Sequence, residues 1–302
     1  MAVQTEVWVR DIKEILFAKN NEFLRASVSH DAFVVNKTVH VPQAGSLPGA
    51  VKNRTVFPAP IVDRADTDLT YDLDSFSVDP VRIGRIDEVQ VSYMKRQSVM
   101  KQHLNILTDI IALEGIFNWA SDTGANQVIT TGSTASDNLP PSATGTRKKL
   151  TVVDIKNLAK TMDEQNVPDK GRWLLLPAAM YYEIFTINDL IKSDIAGLLT
   201  LPTGVANKIL GFNVIKRSET VIYDNTGTPQ RKAIGAAAAN DDNFGGIAWH
   251  VDFVATALGA IEVFANEKDA PNYGTVISAD VLSKTTKLRT DQAGIVTLIQ
   301  GV

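Results

Sequence analysis

The chain has 302 residues, of which 44% are hydrophobic and 21% are charged, and it contains no cysteine. This length and composition predict a folded soluble protein with a large core, built as two subdomains or one elongated unit. The absence of cysteine excludes disulfides, thiolate metal sites and cysteine nucleophiles. The formal net charge of −4 argues against a general nucleic-acid binder, because neutralising phosphates needs a surplus of lysine and arginine.

The N-terminal region predicts one helix within residues 1–35, preceded by Trp8. Its apolar anchors are Ile12, Ile15, Leu16, Phe23 and Leu24. The start of the chain carries charges where a signal peptide would be apolar, and no segment reaches the roughly 18–20 apolar residues of a membrane span. We therefore expect no membrane association.

Residues 36–88 change character, because five of the twelve prolines fall there, between segments rich in β-branched residues. The alternation of Leu69, Tyr71 and Leu73 is typical of a strand. Proline is tolerated in edge strands but not in central ones, so the segment predicts a long two-stranded arm that includes residues 55–64 and 79–93. An isolated hairpin is marginally stable in water, and we therefore expect the arm to lie on another subunit.

Residues 88–121 predict a single long helix, the spine of the fold. Met100, Leu104, Leu107 and Ile111 follow the spacing of one helical face. A second apolar row lies beside that face and consists of Ile106, Ile110, Leu113 and Phe117. The polar side consists of Lys95, Arg96, Lys101, Gln102, Asn105 and Asp109. A helix of about 30 residues is roughly 45 Å long, which suits a brace for packed sheets.

The second half mixes helices and strands. After a polar loop over residues 122–150, with one short strand at 127–131, Thr151 and Asp154 have the spacing of a capping box at the start of a helix. A strand over 172–177 and a helix starting at Pro177 follow, and a strand over 211–219 comes next. The alanine run 236–239 predicts one short helical turn, and the last sixty residues predict strands. This order predicts an α+β fold.

The order of these parts resembles the major capsid protein of tailed bacteriophages, which has the Hong Kong 97-like fold. The segments that carry the resemblance are the strand of 172–177 with the helix after it, the Gly-Phe-Asn-Val strand within 208–215, and the strands of 250–289. The resemblance implies an N-terminal arm at 1–40, an extended β-hairpin loop at 41–88, a peripheral domain with the spine helix at 89–150, an axial domain at 151–255 and a return to the peripheral sheet at 256–302.

The resemblance implies a viral structural protein of the virion and not an enzyme. It would self-assemble, as a homo-oligomer, into hexamers and pentamers of an icosahedral shell that encloses double-stranded DNA by weak, non-specific contact. Assembly would take place in the host bacterial cytoplasm, without a cofactor. The arm begins directly after Met1, which leaves no room for a fused scaffold, so we expect a separate scaffolding protein, a portal and a possible decoration protein as partners.

The large aromatic residues of the two arms are the expected assembly contacts. They are Trp8, Phe17, Phe57, Tyr71 and Phe76. Some relatives join a loop lysine to an asparagine of a neighbouring subunit, and Lys52 would be that lysine here, although no local motif accompanies it.

Two alternatives remain open at this point. An encapsulin-like nanocompartment shares the fold and encloses a protein cargo instead of DNA. A metal-dependent hydrolase would use the acidic run around Asp66, Asp68 and Asp72, since carboxylates suit hard cations. Their spacing fits no known calcium loop and the four histidines are scattered, so we favour a solvated strand face for this run.

Overall fold

The computed structural model describes residues 22–302 except 36, 44, 46–48, 56, 60, 62, 188–198, 201–204, 207, 225–226 and 270; for residues 85–98, 199–200, 205–206 and 268 it describes only the backbone. Its helices are α1 (Arg85–Trp119), α2 (Val152–Glu164) and α3 (Ala178–Glu183). Its strands are β1 (Val28–Ser29), β2 (Val34–Val35), β3 (Thr38–Gln43), β4 (Thr67–Asp72), β5 (Asp74–Ser77), β6 (Val81–Gly84), β7 (Gln127–Ile129), β8 (Thr134–Ala135), β9 (Arg147–Lys148), β10 (Arg172–Pro177), β11 (Leu199–Thr200), β12 (Val205–Ala206), β13 (Lys208–Ile209), β14 (Phe212–Arg217), β15 (Ile222–Tyr223), β16 (Asn243–His250), β17 (Val254–Asp269), β18 (Gly274–Lys287) and β19 (Ile295–Ile299).

The spine helix α1 is 35 residues long, as the uninterrupted apolar pattern predicts. Leu104, Leu107 and Ile111 are buried on the face that the spacing indicated. The helix packs mainly on β18, with further contacts to β6 and β5. Gly115 permits the closest approach, because a Cβ there would lie 3.0 Å from the Leu24 side chain. The helix therefore forms one wall of the main core, and the N-terminal region packs directly against it.

A five-stranded sheet supports the spine. Its order is β1-β17-β18-β5, with β6 also paired to β18. The antiparallel pair β17–β18 is a long hairpin, while β1 runs parallel to the first residues of β17. Strand β18 is covered on one edge by β17 and on the other by β5 and β6, so it is central to the sheet.

A seven-stranded sheet forms the second half, in the order β13-β14-β10-β16-β19-β7 with β15 beside β16. In β10, Leu174 and Leu176 face the core under α2 and α3, whereas Leu175 faces the core shared with the spine helix. A strand buried on both faces reads as a continuous apolar run, which is what the sequence of β10 shows.

The predicted capping box of α2 is confirmed. The Asp154 amide donates to the Thr151 hydroxyl, at 3.3 Å, and the Asp154 carboxylate accepts from the Thr151 amide, at 2.8 Å. Asp154 also accepts from the hydroxyl of Thr131, at 2.7 Å, and thereby joins the helix to the strand segment before it. A buried carboxylate with several donors anchors this end of α2.

Several sequence expectations differ from the structure. Over 55–64 the described residues form no strand, because the prolines there remove the donors that a ladder needs. The strand expected over 79–93 covers only Val81–Gly84. The spine helix α1 begins directly after it, at Arg85, which is three residues before the start predicted from the sequence. Pro177 is both the last residue of β10 and the N-cap of α3, and the alanine run 236–239 has no regular secondary structure. Much of the helix expected in residues 1–35 lies outside the described residues. From residue 22 onward the chain forms two 3₁₀ turns, Glu22–Arg25 and Asp31–Phe33, and the short strands β1 and β2.

The arm forms a separate three-stranded sheet in the order β2-β3-β4. Two strands were expected from the sequence. The β3–β4 ladder runs from Thr38↔Asp72 to Gln43↔Thr67. The division of the whole chain into peripheral and axial domains stays a prediction.

Candidate assembly surface

The base of the arm is held by its own chain. The Tyr71 hydroxyl lies 2.8 Å from Nδ1 of His30, and burial raises the pKa of Tyr71 to about 12. A small buried cluster of Val39, Leu73 and Ala257 lies beside this pair and joins the arm to β17. Tyr71, an expected assembly contact, therefore has partners within its own chain.

Phe76 also contacts its own chain. It stands opposite Val281 in the β5–β18 ladder and packs against the main core while staying partly exposed. Trp8 and Phe17 lie outside the described residues. As contacts with another subunit, all five expected residues remain predictions.

The arm tip, residues 44–66 between β3 and β4, exposes the largest apolar side chains of the arm. Val51 is 61% exposed, Phe57 is 75% exposed and Ile61 is 95% exposed. Each large apolar side chain left in water forgoes about 1.5–3 kcal/mol of burial free energy. The tip therefore has the composition of a surface that another molecule covers. Phe57 was expected from the sequence, whereas Val51 and Ile61 were missed because only aromatic residues of the arms were chosen as contacts.

The carboxylates of the arm have separate partners. Asp66 accepts from the Gly45 amide, at 2.9 Å, and pairs with Arg64, which is the main reason why its pKa lies below the usual range. Asp68 contacts Nδ1 of His40 at 3.0 Å, and Asp72 accepts from Thr38 at 2.7 Å. In the described part of the chain, no group of three or more His, Asp and Glu residues is arranged to hold a metal ion. The geometry gives the hydrolase alternative no support.

The spine helix carries a second apolar surface, on its side away from the core. Ile106 and Ile110 are exposed, and Leu113 and Phe117 are half-buried beside them. Leu113 and Phe117 also line a pocket of about 300 Å³, together with Ile222 and Ile234. The second apolar row of the sequence is therefore a helix face that the described chain leaves largely uncovered.

The end of the spine helix is capped by two cations. Arg231 pairs with Asp122 at 2.7 Å and donates to the Phe117 carbonyl. Lys287 donates to the Ala120 carbonyl at 2.7 Å. Cations at a helix C-terminus satisfy free carbonyls and interact favourably with the helix dipole. This arrangement joins the spine to both sheets, because Lys287 ends β18 and Arg231 follows β15.

Comparison with known proteins places this fold among capsids. No protein-family model matches the sequence, and no curated protein matches it. The capsid structure of the cyanophage P-SCSP1u is similar with a TM-score of 0.66 and 16% identity, over 90% of this chain and 86% of that one. The capsid of Ralstonia phage GP4 is similar with a TM-score of 0.61 and 10% identity, over 92% and 87%. A virus-like particle from Pyrococcus furiosus is similar with a TM-score of 0.56 and 10% identity, over 98% and 99%.

These similarities extend over nearly the whole chain, so the chain has the α+β fold of phage capsid proteins, and the resemblance predicted from the sequence is confirmed at the level of the fold. No helix in the described residues is both long enough and apolar enough to cross a membrane.

Proposed function

We propose that this chain is the major capsid protein of a tailed bacteriophage and forms an icosahedral shell by self-association. The observation that carries the proposal is the exposed apolar arm tip on a chain with a phage capsid fold. Docking the tip on a neighbouring copy would remove Val51, Phe57 and Ile61 from water. Repeated around a closed shell, such modest contacts become strong through multivalency.

The finer features of the proposal are those that the resemblance to tailed-phage capsid proteins implies. The chain would have the Hong Kong 97-like arrangement and would form hexamers and pentamers around double-stranded DNA. A scaffolding protein, a portal and a decoration protein would be its partners, and assembly would occur in the host cytoplasm. The hypothesis of a phage capsid is preferred to that of a cargo compartment, because most of the similar structures come from phages.

Electron microscopy and sedimentation of the purified full chain test the proposal. We expect closed shells, tubes or capsomer rings from the wild type, and their loss in Val51→Ser/Phe57→Ser, which alters only exposed side chains. Val153→Ser, an equally exposed site on α2, is the matched control and should assemble normally. A wild-type chain that stays monomeric at all salt concentrations, with its candidate scaffold added, would overturn the proposal.

A further inference from the structure

The outer edge of β17 is covered by other residues near its start and is unpaired further along. Near its start, the Thr256 carbonyl accepts from the His30 amide at 2.8 Å, and the Leu258 amide donates to the Asp31 carboxylate at 2.7 Å. Strand β1 and the segment after it therefore cover this edge up to Leu258. Among the described residues, no strand pairs with the edge beyond that point.

The register shows which backbone groups face this open edge. Leu258 directs its amide away from β18, so its pair with Ser283 is not hydrogen-bonded. A bulge with one extra residue follows, and the pairing resumes at Ile261↔Val281. Since Val281 lies two residues from Ser283, the Ile261 pair is of the same kind. Ile261, Val263 and Ala265 therefore point their amides and carbonyls outward.

The opposite side of the hairpin supports this assignment. The Ala279 carbonyl accepts from the Val78 amide at 3.0 Å, on the edge of β18 away from β17. Ala279 stands opposite Val263, so that pair leaves its β17 member free to face outward. The open edge contains no proline, and Phe264 beside it is 52% exposed. A long unpaired edge without proline is a template for an added strand.

Residues 2–9, which lie outside the described residues, have the sequence pattern of a strand. In residues 2–9, Val3, Thr5, Val7 and Val9 alternate with Gln4, Glu6 and Trp8. This period of two and the β-branched residues are typical of a strand. Residues 10–21 separate this segment from Glu22–Arg25 and span about 18 Å if helical and about 40 Å if extended, which is enough to reach an adjoining copy.

We propose that the open edge of β17 from Ile261 to Ala265 receives residues 2–9 of a neighbouring copy as an added strand. Strand β1 runs parallel to β17, so the chain that precedes β1 leads away from the open edge rather than along it. The 3₁₀ turn before β1 is held at the opposite end, where Phe23 packs against Trp119 and Trp249. This inference rests on the self-association proposed above and identifies one of its contacts.

Amide hydrogen exchange on the full chain, before and after assembly, provides the test. Exchange at Ile261, Val263 and Ala265 should become slow on assembly of the wild type and stay fast in a variant that lacks residues 2–9. Ala265→Pro removes an outward amide without breaking the β17–β18 ladder, and it should slow assembly and lower its yield without abolishing it. Ala265→Ser keeps the amide and is the control that should assemble.

The proline substitution and the deletion of residues 2–9 are expected to remove the same contact. Ala265→Pro should be no more defective when combined with the deletion of residues 2–9 than either change alone, because both remove one contact. Shells that form equally well from the wild type and Ala265→Pro would overturn this inference and leave the proposed function standing. Slow exchange at these amides in the free monomer would show that the chain's own N-terminal segment occupies the edge. A wild type that never assembles would overturn both proposals.

Discussion

Phe23 meets Trp119 edge-on, with their ring centroids 5.8 Å apart. The contact joins the first described residues of the chain to the last residue of the spine helix. Trp249 of β16 completes the group, at 6.4 Å from Phe23 and 5.5 Å from Trp119. Three aromatic rings from distant parts of the sequence therefore hold the spine between the two main sheets.

We expect Phe23→Ala to lower the free energy of unfolding by about 3–5 kcal/mol, because it leaves a cavity among buried rings. Urea unfolding of the unassembled chain measures this loss. Phe57→Ala is the matched control, and its effect should stay within about 0.5 kcal/mol because Phe57 is exposed. Equal losses for the two variants would contradict the role of the aromatic group.

Alanine substitutions at Gly211 and Gly294 distinguish the stability cost of backbone strain from the cost of side-chain crowding. Both have positive φ, +90° and +78°, but a Cβ at Gly211 meets nothing within 4 Å, whereas one at Gly294 would lie 2.5 Å from Phe253. We expect Gly211→Ala to cost about 1–2 kcal/mol from the left-handed conformation alone. Gly294→Ala should cost about 1–3 kcal/mol more from overpacking. Thermal unfolding of the two variants measures the difference, and equal costs would contradict the expected crowding.

The buried imidazole of His103 is expected to make the folded chain less stable in acid. Its side chain is buried on the spine, neither ring nitrogen has a hydrogen-bond partner in the described structure, and burial lowers its pKa below 6.5. As the pH falls through 6.5, the unfolded chain binds the proton first, so the free energy of unfolding decreases. His103→Leu should make this decrease shallower, as measured by urea unfolding from about pH 7 to about pH 5.

The control for that measurement is Leu107→Ala, because Leu107 is buried on the same helix and carries no titratable group. This variant should keep the wild-type dependence of stability on pH. If His103→Leu retained the same dependence as well, the buried imidazole would not be its source.

Lys287 is expected to make the chain more stable as the pH rises into the basic range. Burial, and secondarily the charge of Arg231, lowers its pKa to about 8. Between about pH 8 and the usual lysine pKa of about 10.4, the unfolded chain holds more protons, so this group makes stability rise with pH. Lys287→Met should remove that contribution. Urea unfolding from about pH 7.5 to about pH 9.5 compares the two slopes, below the range where tyrosines ionise. Identical slopes would exclude Lys287 as the titrating group.

Local patterns predicted much of the secondary structure correctly. The face of α1, the capping box at Thr151 and the continuous apolar run of β10 each depend on residues close in the sequence. The strand expected around Phe57 failed for a physical reason, since propensity there competes with prolines that have no donor for a ladder. The assembly residues were harder to predict, because an aromatic side chain such as Tyr71 is equally suited to a contact within its own chain.

The sequence by itself determined the long spine, the order of helices and strands, and the resemblance to phage capsid proteins, because periodicity, capping and turn residues act over a few positions. Only the tertiary structure decided that Tyr71 bonds to His30, that Ile61 is left in water and that β17 is open beyond Leu258. Those features depend on pairings between residues far apart in the chain. Exposure and strand pairing are properties of the assembled fold, and no local pattern specifies them.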